Sequence, residues 1–582
     1  MDASPAIEPL PAEPAPTSPS PAPDLDRAVA ELGDHARAFA RMPPREKAAL
    51  LRSLLPRIAA AASEQVAVAC RAKGLDPAGA LAGEEWLAGP AAVLANTRLL
   101  AESLEAIAAR GRPDLPKATL RDDDRAEVRV APRGLHEKAL YNGIEATVIF
   151  QEGLHPKEVP GAQAAFYQRQ DPEGGVSLIL GAGNVASIAP MDALYKLFVE
   201  GQVALVKMSP VNAYLTPAFE QAFAPLIERG FLRIVQGGGE EGAHLVNHPG
   251  VTDVHLTGSA MTHDLLVWGP PGGERERRKA ANDPILKKPI TSELGNVSPI
   301  VVMPYLYSKG ELWAQARNVA SQVANNASFN CNAGKMLVLP RGWTQAEMFL
   351  GMIEKALTAA PLRKAYYPGA EDRWARLTAG RERVVTIGAS RPEDGKLPWT
   401  MIRDLDLARV DEPLFTTEPF CSILSVVAIG SDDPVAFLGA ATRFCNDRLW
   451  GTLSCAITIH EAQAEDPAVA IALEKALVEL RYGAVALNQW PAMLYALASP
   501  PWGGHPSATL ADVQSGLGFV HNTPMLGRID KAVLRAPLEA SPKPAYFLDN
   551  KKMRDIGERL TRFAAAPSLG GVASVAMAAL RG

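Results

Sequence analysis

The sequence predicts an α/β fold in which helices cover a parallel sheet. Between residues 176 and 259, four short runs rich in Val, Leu and Ile alternate with stretches of helical length and periodicity. Glycine-containing turns follow three of the four runs. Alternating strands and helices are typical of βαβ units, and parallel sheets bind ligands at the carboxyl ends of their strands. The sequence therefore predicts a ligand site at these turns.

Composition agrees with a large globular protein. The chain has 582 residues, of which 47% are hydrophobic and 21% are charged, which predicts several structural units. The 59 basic and 64 acidic side chains give a net charge of −5, which disfavours nucleic-acid binding. No uninterrupted apolar run reaches about 18 residues, so we expect no membrane span.

Cysteine usage indicates a reducing compartment. The five cysteines contain no C-x-x-C pair, so neither a disulfide framework nor a zinc site is expected. We therefore predict a cytoplasmic protein with free thiols and no metal. The odd count leaves one cysteine available as a reactive nucleophile; the five are Cys70, Cys331, Cys421, Cys445 and Cys455.

Residues 1–26 are predicted to be a disordered tail, because eight prolines lie between positions 5 and 23. The tail has neither the basic and apolar pattern of a signal peptide nor the arginine-rich pattern of a transit peptide. A partner-docking role for it is the alternative.

The remaining chain is predicted to comprise three parts: helices and a cofactor-binding domain over 27–290, a catalytic domain over 291–490, and a C-terminal arm and extension over 491–582. Helices dominate up to about residue 109. The segment 272–279 (GGERERRK) is expected to be a solvated loop, with a basic ligand patch as the alternative. The other expected strands lie at 145–151, 176–180, 203–206, 232–235, 251–256, 291–303, 422–429, 453–459 and 484–487, with helices at 186–199, 217–228 and 313–327.

Residues 181–186 (GAGNVA) follow a predicted strand and fit the pattern G-x-G-x-x-A. Such a turn places backbone N–H groups and a helix N-terminus against a dinucleotide pyrophosphate, and Glu200 lies near the position of a ribose-binding acid. The pattern is common in strand-to-helix turns, so it is weak when taken alone.

Several segments together resemble signatures of the aldehyde dehydrogenase superfamily. They occur in that family's order and at near-family spacing, between about residues 140 and 510. The resemblance implies a Rossmann-like cofactor domain, an α/β catalytic domain and a small oligomerisation hairpin near 140–170. The segments are LVKMSP (205–210), VTDVHLTGS (251–259), TSELGNVSPI (291–300), NASFNCNAG (326–334), EPFCSIL (418–424), VALNQW (485–490) and PWGG (501–504).

The resemblance assigns three catalytic roles. Cys331 looks like the nucleophile that attacks an aldehyde carbonyl. Glu293 looks like the general base that activates water and that also helps deprotonate Cys331. Asn184 matches the residue whose amide forms the oxyanion hole with the backbone N–H of the nucleophile, so the G-x-G-x-x-A match at 181–186 becomes a coincidence of glycine spacing.

The resemblance also implies where NAD or NADP binds. Lys207 would bond the adenosine ribose, and Gly258 and Ser259 would approach the pyrophosphate. Glu418 would bind the nicotinamide ribose, and Phe420 would pack beside it.

The sequence departs from the family pattern at several positions. Pro210 replaces the acid that favours NAD, so both NAD and NADP stay open. Gly183 replaces an aromatic residue beside Asn184, which is expected to widen the substrate tunnel. The usual Gly-Gln before the nucleophile is Ser328-Phe329, G-G-K after Glu-Leu is 295–297 (GNV), and a small insertion separates Glu293 from Cys331.

The resemblance implies NAD(P)-dependent oxidation of an aldehyde to an acid by a homodimer or homotetramer. One alternative is a coenzyme-A-dependent acyl-CoA reductase on the same fold, although such members usually lack the base at Glu293. The other is a catalytically silent scaffold, which the departures favour and the intact Cys331 and Glu293 disfavour.

Overall fold

The computed structural model describes residues 18–582 and contains 16 strands in two sheets. The strands are β1 (Thr119–Leu120), β2 (Ala126–Ala131), β3 (Glu145–Phe150), β4 (Val176–Leu180), β5 (Val203–Lys207), β6 (Leu232–Val235), β7 (Asp253–Gly258), β8 (Ile290–Leu294), β9 (Pro299–Val302), β10 (Met336–Pro340), β11 (Val384–Ile387), β12 (Trp399–Ile402), β13 (Ile423–Ile429), β14 (Ser454–Thr458), β15 (Ala484–Leu487) and β16 (Ile529–Arg535).

The predicted parallel sheet is confirmed. Five strands form it in the order β6-β5-β4-β7-β8, and every neighbouring pair is parallel. All residues of β4 and β5 are buried, as expected for strands covered by helices on both faces. Its carboxyl edge brings Lys207, Gly258 and Leu294 to one side of the molecule.

A second sheet has eleven strands in the order β1-β2-β3-β16-β15-β14-β9-β10-β13-β12-β11. The strands from β16 to β12 are parallel, and the strands at both edges are antiparallel. Only residues 295–298 separate β8 from β9, so the carboxyl edge of the smaller sheet lies against the larger one.

Helices cover both sheets. They are α1 (Ala22–Arg41), α2 (Pro44–Ala72), α3 (Ala82–Trp86), α4 (Ala92–Arg110), α5 (Gly134–Leu140), α6 (Ile188–Phe198), α7 (Thr216–Ala222), α8 (Ala224–Glu228), α9 (Gly239–Asn247), α10 (Ala260–Trp268), α11 (Gly273–Ala281), α12 (Lys309–Ala324), α13 (Ala346–Thr358), α14 (Ala370–Thr378), α15 (Pro413–Thr416), α16 (Pro434–Arg448), α17 (Glu461–Ala464), α18 (Pro467–Glu479), α19 (Ala492–Ala496), α20 (Met553–Ala565) and α21 (Leu569–Ala579). No helix within residues 18–582 has both the length and the apolar character needed to cross a membrane.

The predicted tail ends earlier than expected. Residues 1–17 lie outside the described residues, but α1 begins at Ala22, inside the segment predicted to be disordered. Pro23 suits the first turn of a helix, where backbone N–H groups have no helical partner. Leu25 is 1% exposed, so burial of its side chain fixes this turn on the protein.

The segment 272–279 is mostly exposed, as expected from its charges, but residues 273–281 form a helix and not a loop. In α11, acidic residues occupy the first turn and basic residues the last, which complements the helix dipole. Arg277 pairs with Glu274 one turn away, and the buried Arg275 donates to the carbonyl of Gly269.

The hairpin predicted near 140–170 lies somewhat earlier in the chain. Strand β3 pairs antiparallel with β2 and also with β16 of the same chain. Residues 159–168 instead contain two short 3₁₀ turns, Val159–Ala162 and Ala165–Gln168. An oligomerisation role for this hairpin stays a prediction.

Lys47 of α2 is a buried cation without a carboxylate partner among the ion pairs of residues 18–582. Its ammonium group lies 4.7 Å from the ring centres of Phe39 and Phe166 and 5.2 Å from that of Tyr167. Its hydrogen bond to the carbonyl of Ala40 is long, at 3.4 Å. Burial lowers the pKa of Lys47 to about 7.

We predict that Lys47→Met stabilises the protein, because the unfolded chain binds a proton that the folded chain binds weakly. Between the folded pKa of about 7 and the unfolded value of 10.5, wild-type stability should rise with pH. The gain from Lys47→Met should therefore be greatest at pH 7, at about 1 kcal/mol or more, and should shrink towards pH 10. Thermal unfolding across this pH range measures it. The exposed Lys355→Met is the control, and a gain independent of pH would contradict the prediction.

Candidate active site

Cys331 lies in the turn between α12 and β10, where the two sheets meet. All five cysteines are free thiols, and Cys331 alone among them is partly exposed. The structure thus distinguishes it from Cys70, Cys421, Cys445 and Cys455, which are packed in the interior.

The backbone leading to Cys331 adopts an unusual conformation. Asn326, Ala327 and Ser328 have φ angles of 51°, 55° and 71°, in the left-handed region that residues other than glycine rarely adopt. Each such residue costs roughly 1 kcal/mol or more, so other contacts must stabilise the turn.

A buried polar cluster provides those contacts. The ammonium group of Lys73, at the end of α2, donates to Asn326 Oδ1 and the Asn184 carbonyl, both at 3.0 Å, and to Glu85 Oε1 at 2.7 Å. Glu84 accepts from the backbone N–H of Asn326 at 3.1 Å. Two carboxylates and one ammonium from the N-terminal helices therefore fix the turn.

Asn184 lies beside the turn that leads to Cys331. Its amide nitrogen donates to the Phe329 carbonyl at 3.0 Å, two residues before Cys331. The backbone carbonyl of Asn184 accepts hydrogen bonds from Asn326 Nδ2 at 2.9 Å and from the Tyr366 hydroxyl at 3.2 Å. The amide has a second N–H available for a ligand.

Glu293 is a buried carboxyl on β8, directed at the Cys331 thiol. Its pKa is raised to about 8: burial is the main cause, and the charges of Asp192 and Glu418 add to it, whereas the Cys331 thiol and Trp502 oppose the shift. Its Oε1 atom has no hydrogen-bond partner within residues 18–582. A carboxyl group with this pKa is suited to take up and release a proton near neutral pH.

The pKa of the Cys331 thiol is well above its ordinary value. Burial is the main cause, the negative charge of Glu293 adds to it, and the ammonium group of Lys335 opposes it. The thiol is therefore neutral at rest and needs a base before it can attack.

Glu418 and Lys335 form a buried ion pair behind Cys331. Lys335 Nζ lies 2.6 Å from Glu418 Oε1 and 2.7 Å from the Asn330 carbonyl. Burial raises the pKa of Glu418 and Lys335 opposes that shift. A Cβ at Gly295 would lie 1.7 Å from Glu418 Oε2, so only glycine permits this approach.

Phe420 lies in an aromatic cluster. Its φ is 42°, and its ring centre is 4.9 Å from that of Tyr367 and 5.8 Å from that of Phe329. Phe329 is fully buried there. Phe329, which stands where the family usually has Gln, is thus an aromatic side chain packed within this cluster.

Gly183 does not widen the site as expected. A Cβ at this position would lie 2.6 Å from both Ser209 Oγ and Val211 Cβ. The loop after β5 therefore occupies the space that an aromatic side chain would need.

The predicted cofactor residues lie along the carboxyl edge of the five-stranded sheet. Lys207 ends β5 and donates to the carbonyls of Gly237, at 2.8 Å, and Met208, at 3.3 Å. Gly258 ends β7, and Ser259 begins α10 by accepting from the backbone N–H of a residue in its first turn.

These residues fit a dinucleotide. Lys207 retains a third N–H for a hydroxyl group. Gly258 and Ser259 are exposed, so the backbone N–H groups at the start of α10 are accessible to a phosphate. Within residues 18–582, no three His, Cys, Asp or Glu side chains form a group that could bind a metal ion.

Sequence reasoning missed Lys73, Glu84, Glu85 and Lys335. The first three fall near residues 74–83, which resemble only a break between helices. Lys335 follows Cys331 by four residues, and this short spacing was a usable signal.

Comparison with known proteins yields one consistent family. The model of the aldehyde dehydrogenase family matches residues 139–368. N-succinylglutamate 5-semialdehyde dehydrogenase of Ectopseudomonas mendocina is 26% identical over 34% of this chain and 37% of its own length. Betaine aldehyde dehydrogenase of Rhizobium leguminosarum is 25% identical over 50% of this chain and 59% of its own length. The matched region thus spans only about a third to three fifths of these relatives.

Solved structures show the same fold. An aldehyde dehydrogenase of Mycobacterium tuberculosis complexed with NAD+ has a TM-score of 0.58 and 18% identity, covering 90% of this chain and 92% of the other. An NADP-dependent glyceraldehyde-3-phosphate dehydrogenase of Bacillus halodurans complexed with NADP has a TM-score of 0.57 and 17% identity, covering 88% and 91%.

We predict that Lys73→Met destabilises the protein by about 3 kcal/mol, because it leaves Glu85 charged, buried and unpaired. The double variant Lys73→Met/Glu85→Leu should recover part of that loss, since it removes the unpaired carboxylate. Thermal unfolding measures both, with the exposed Lys551→Met as the control. An unchanged midpoint in Lys73→Met would refute the role of this cluster.

Proposed function

We propose that this chain, whose residues 139–368 match the aldehyde dehydrogenase family model, is a member of that superfamily and oxidises an aldehyde to a carboxylic acid with NAD or NADP. The single observation that supports this best is the arrangement of Cys331 and Glu293, a partly exposed thiol facing a buried carboxyl group whose pKa is about 8.

In the first half of the reaction, Glu293 accepts the proton of the Cys331 thiol, and the thiolate sulfur bonds to the aldehyde carbon. The carbonyl oxygen gains a negative charge as its double bond opens. Asn184 Nδ2 and the Cys331 backbone N–H donate to that oxygen, and one such donor typically contributes about 3–4 kcal/mol. The product is a thiohemiacetal on Cys331.

NAD or NADP, when bound, supplies the oxidant that converts this thiohemiacetal to a thioester. Lys207 would bind the adenosine ribose, and Gly258 and Ser259 the pyrophosphate. Glu418 would bind the second ribose, with Phe420 packed beside it. Pro210 stands where an acid would repel a 2′-phosphate, so either cofactor can be accommodated.

In the second half, Glu293 first releases the thiol proton to solvent. Its ionised form then takes a proton from water, and the oxygen of that water bonds to the thioester carbon. The carbon–sulfur bond then breaks, the acid leaves, and the Cys331 thiolate takes the proton back from Glu293. The carboxyl group thus returns to its initial state.

The assembly and compartment are part of the proposal. We propose a homodimer or homotetramer formed through the β2–β3 hairpin, because β1 leaves an unpaired edge beside it within the described residues. Five free thiols suit the cytoplasm.

We predict that the purified protein reduces NAD or NADP when given apolar and polar aldehydes, and that Cys331→Ala loses at least 1,000-fold of this rate, roughly the effect of removing a nucleophile. Absorbance of the reduced cofactor measures it with each cofactor in turn. Cys70→Ala is the control, because Cys70 is a buried thiol in α2, distant in sequence from Cys331. Equal rates in wild type and Cys331→Ala would refute the proposal, and a wild type without turnover would favour the silent scaffold.

We predict that hydrolysis of the thioester increases with pH through about 8, because only ionised Glu293 accepts a proton from water. Glu293→Gln should reduce the cofactor more slowly, because the Cys331 thiol loses its base, and should stop after a single turnover with the acyl group retained on Cys331. Stopped-flow absorbance and intact-protein mass spectrometry measure these outcomes. Sustained turnover of Glu293→Gln that depends on coenzyme A would support the acyl-CoA reductase instead.

A further inference from the structure

A cluster of buried titratable side chains lies beside Glu293 and has no role in the proposed reaction. Asp192 of α6 faces His255 and Thr257 of β7. In the parallel pairing of β7 with β8, His255 lies opposite Thr291 and Thr257 lies opposite Glu293. Side chains two residues apart share a face of a strand, so these groups lie on one face of the sheet, under α6.

Asp192 has three polar neighbours. Its Oδ2 atom accepts from the Thr257 hydroxyl at 2.8 Å and lies 3.4 Å from His255 Nε2. Its Oδ1 atom lies 3.4 Å from Nε2 of His521, which comes from the loop before β16. Asp192, His255 and His521 are only 1%, 1% and 2% exposed.

The cluster lowers the stability of the fold more than a purely structural element would. Asp192 Oδ1 and both ring nitrogens of His521 have no hydrogen bond within residues 18–582. Each buried polar atom without a hydrogen bond lowers the stability of the fold by about 1–3 kcal/mol. Apolar side chains of similar size would pack α6 on the sheet without this loss. Such clusters concentrate at functional sites.

The cluster is close enough to act on the proposed base. Neighbouring strands lie about 4.8 Å apart, and Thr257, which donates to Asp192, is the strand partner of Glu293. The centre of the Tyr495 ring lies 4.6 Å from that of the His521 ring. The charges of Asp192, Glu293 and Cys331 all contribute to raising the pKa of the Tyr495 hydroxyl.

We propose that Asp192 is a positioning residue for Glu293: its buried negative charge, bound by the strand partner of Glu293, helps to set the pH at which Glu293 can act as a base. Thr257, His255 and His521 fix that charge in place. The use of Glu293 as a base rests on the proposed function. The effect of Asp192 on the ionisation of Glu293 does not depend on that function.

The charges around Glu293 support this role. Asp192 and Glu418 both raise the pKa of Glu293, but Glu418 is paired with Lys335, whose charge compensates it. Burial raises the pKa of Asp192, but His255 and His521 outweigh that effect and leave the pKa lowered, so Asp192 is ionised. Burial lowers the pKa of His521, and Asp192 opposes that shift.

The remaining neighbours do not replace Asp192. His255 faces the Oδ2 atom of Asp192. The Tyr495 hydroxyl is neutral and forms a hydrogen bond with Ser187 Oγ at 2.7 Å. The Cys331 thiol and Trp502 also face Glu293, and they lower its pKa. Asp192 is therefore the negative charge whose removal changes the ionisation of Glu293 most directly.

Alkylation of Cys331 by iodoacetamide tests the proposal on the full chain without aldehyde or cofactor. The rate, followed by peptide mass spectrometry from pH 5.5 to 10, should increase in a step near pH 8 as Glu293 ionises and accepts the thiol proton. Glu293→Gln should lose this step. Asp192→Asn should move it to lower pH by about one unit.

Asp253→Asn is the matched control. Asp253 is also a buried carboxylate on β7, but it pairs with Lys196 and Ser177, at the other end of the strand. Its step should stay within 0.2 pH unit of wild type, an allowance of about the measuring precision.

If Asp192→Asn does not fold, as thermal unfolding would show, Thr257→Val keeps the proposal testable. It removes the hydroxyl that fixes Asp192 and should move the step in the same direction by a smaller amount. A step that stays at the wild-type pH in the folded variant overturns the proposal. A wild type that never reduces NAD or NADP overturns the proposed function alone, because the alkylation step does not need turnover.

Discussion

The left-handed turn at Asn326–Ser328 is the constraint on which the candidate site depends. Three successive residues with positive φ reverse the chain after α12 and direct Cys331 towards β8. Without glycine, this conformation needs stabilising contacts, and Lys73 and Glu84 provide two of them from another part of the chain. The same Lys73 binds the Asn184 carbonyl, so one ammonium group fixes both sides of the proposed oxyanion pocket.

The two ends of the chain support that cluster. Helix α3, which contains Glu84 and Glu85, packs so closely on α20 that a Cβ at Gly83 would lie 2.3 Å from the Met553 carbonyl carbon. The C-terminal extension also reaches the other side of the site: Tyr546 bonds Gln489, next to Trp490, whose indole donates to the Asn332 carbonyl at 2.7 Å. The segments that resemble no family motif thus brace the residues that do.

How much could be predicted from the sequence follows from the range of the interactions involved. Short-range patterns predicted β4, β5 and β15, because a buried strand needs a local apolar run. Family signatures brought together Cys331, Glu293 and Asn184, which the structure places around one turn. The contact of Lys73 with the site could not be predicted, because Asn184 and Asn326 lie more than a hundred residues away from it and no local pattern marks them. The helix at 273–281 was missed because its charges were interpreted as solvation rather than as dipole complementation.

The charges of the site explain why a reactive thiol can be kept in a buried pocket. Cys331 and Glu293 face each other, and both pKa values are raised, so ionising either one disfavours ionising the other. The pair therefore holds both protons at rest and gives up one of them only near or above pH 8, and Lys335 is the cation that opposes the shift at the thiol. A neutral thiol is a poor nucleophile and resists oxidation. Reactivity is thus governed by the carboxyl group, and any buried charge that acts on Glu293 also acts on Cys331.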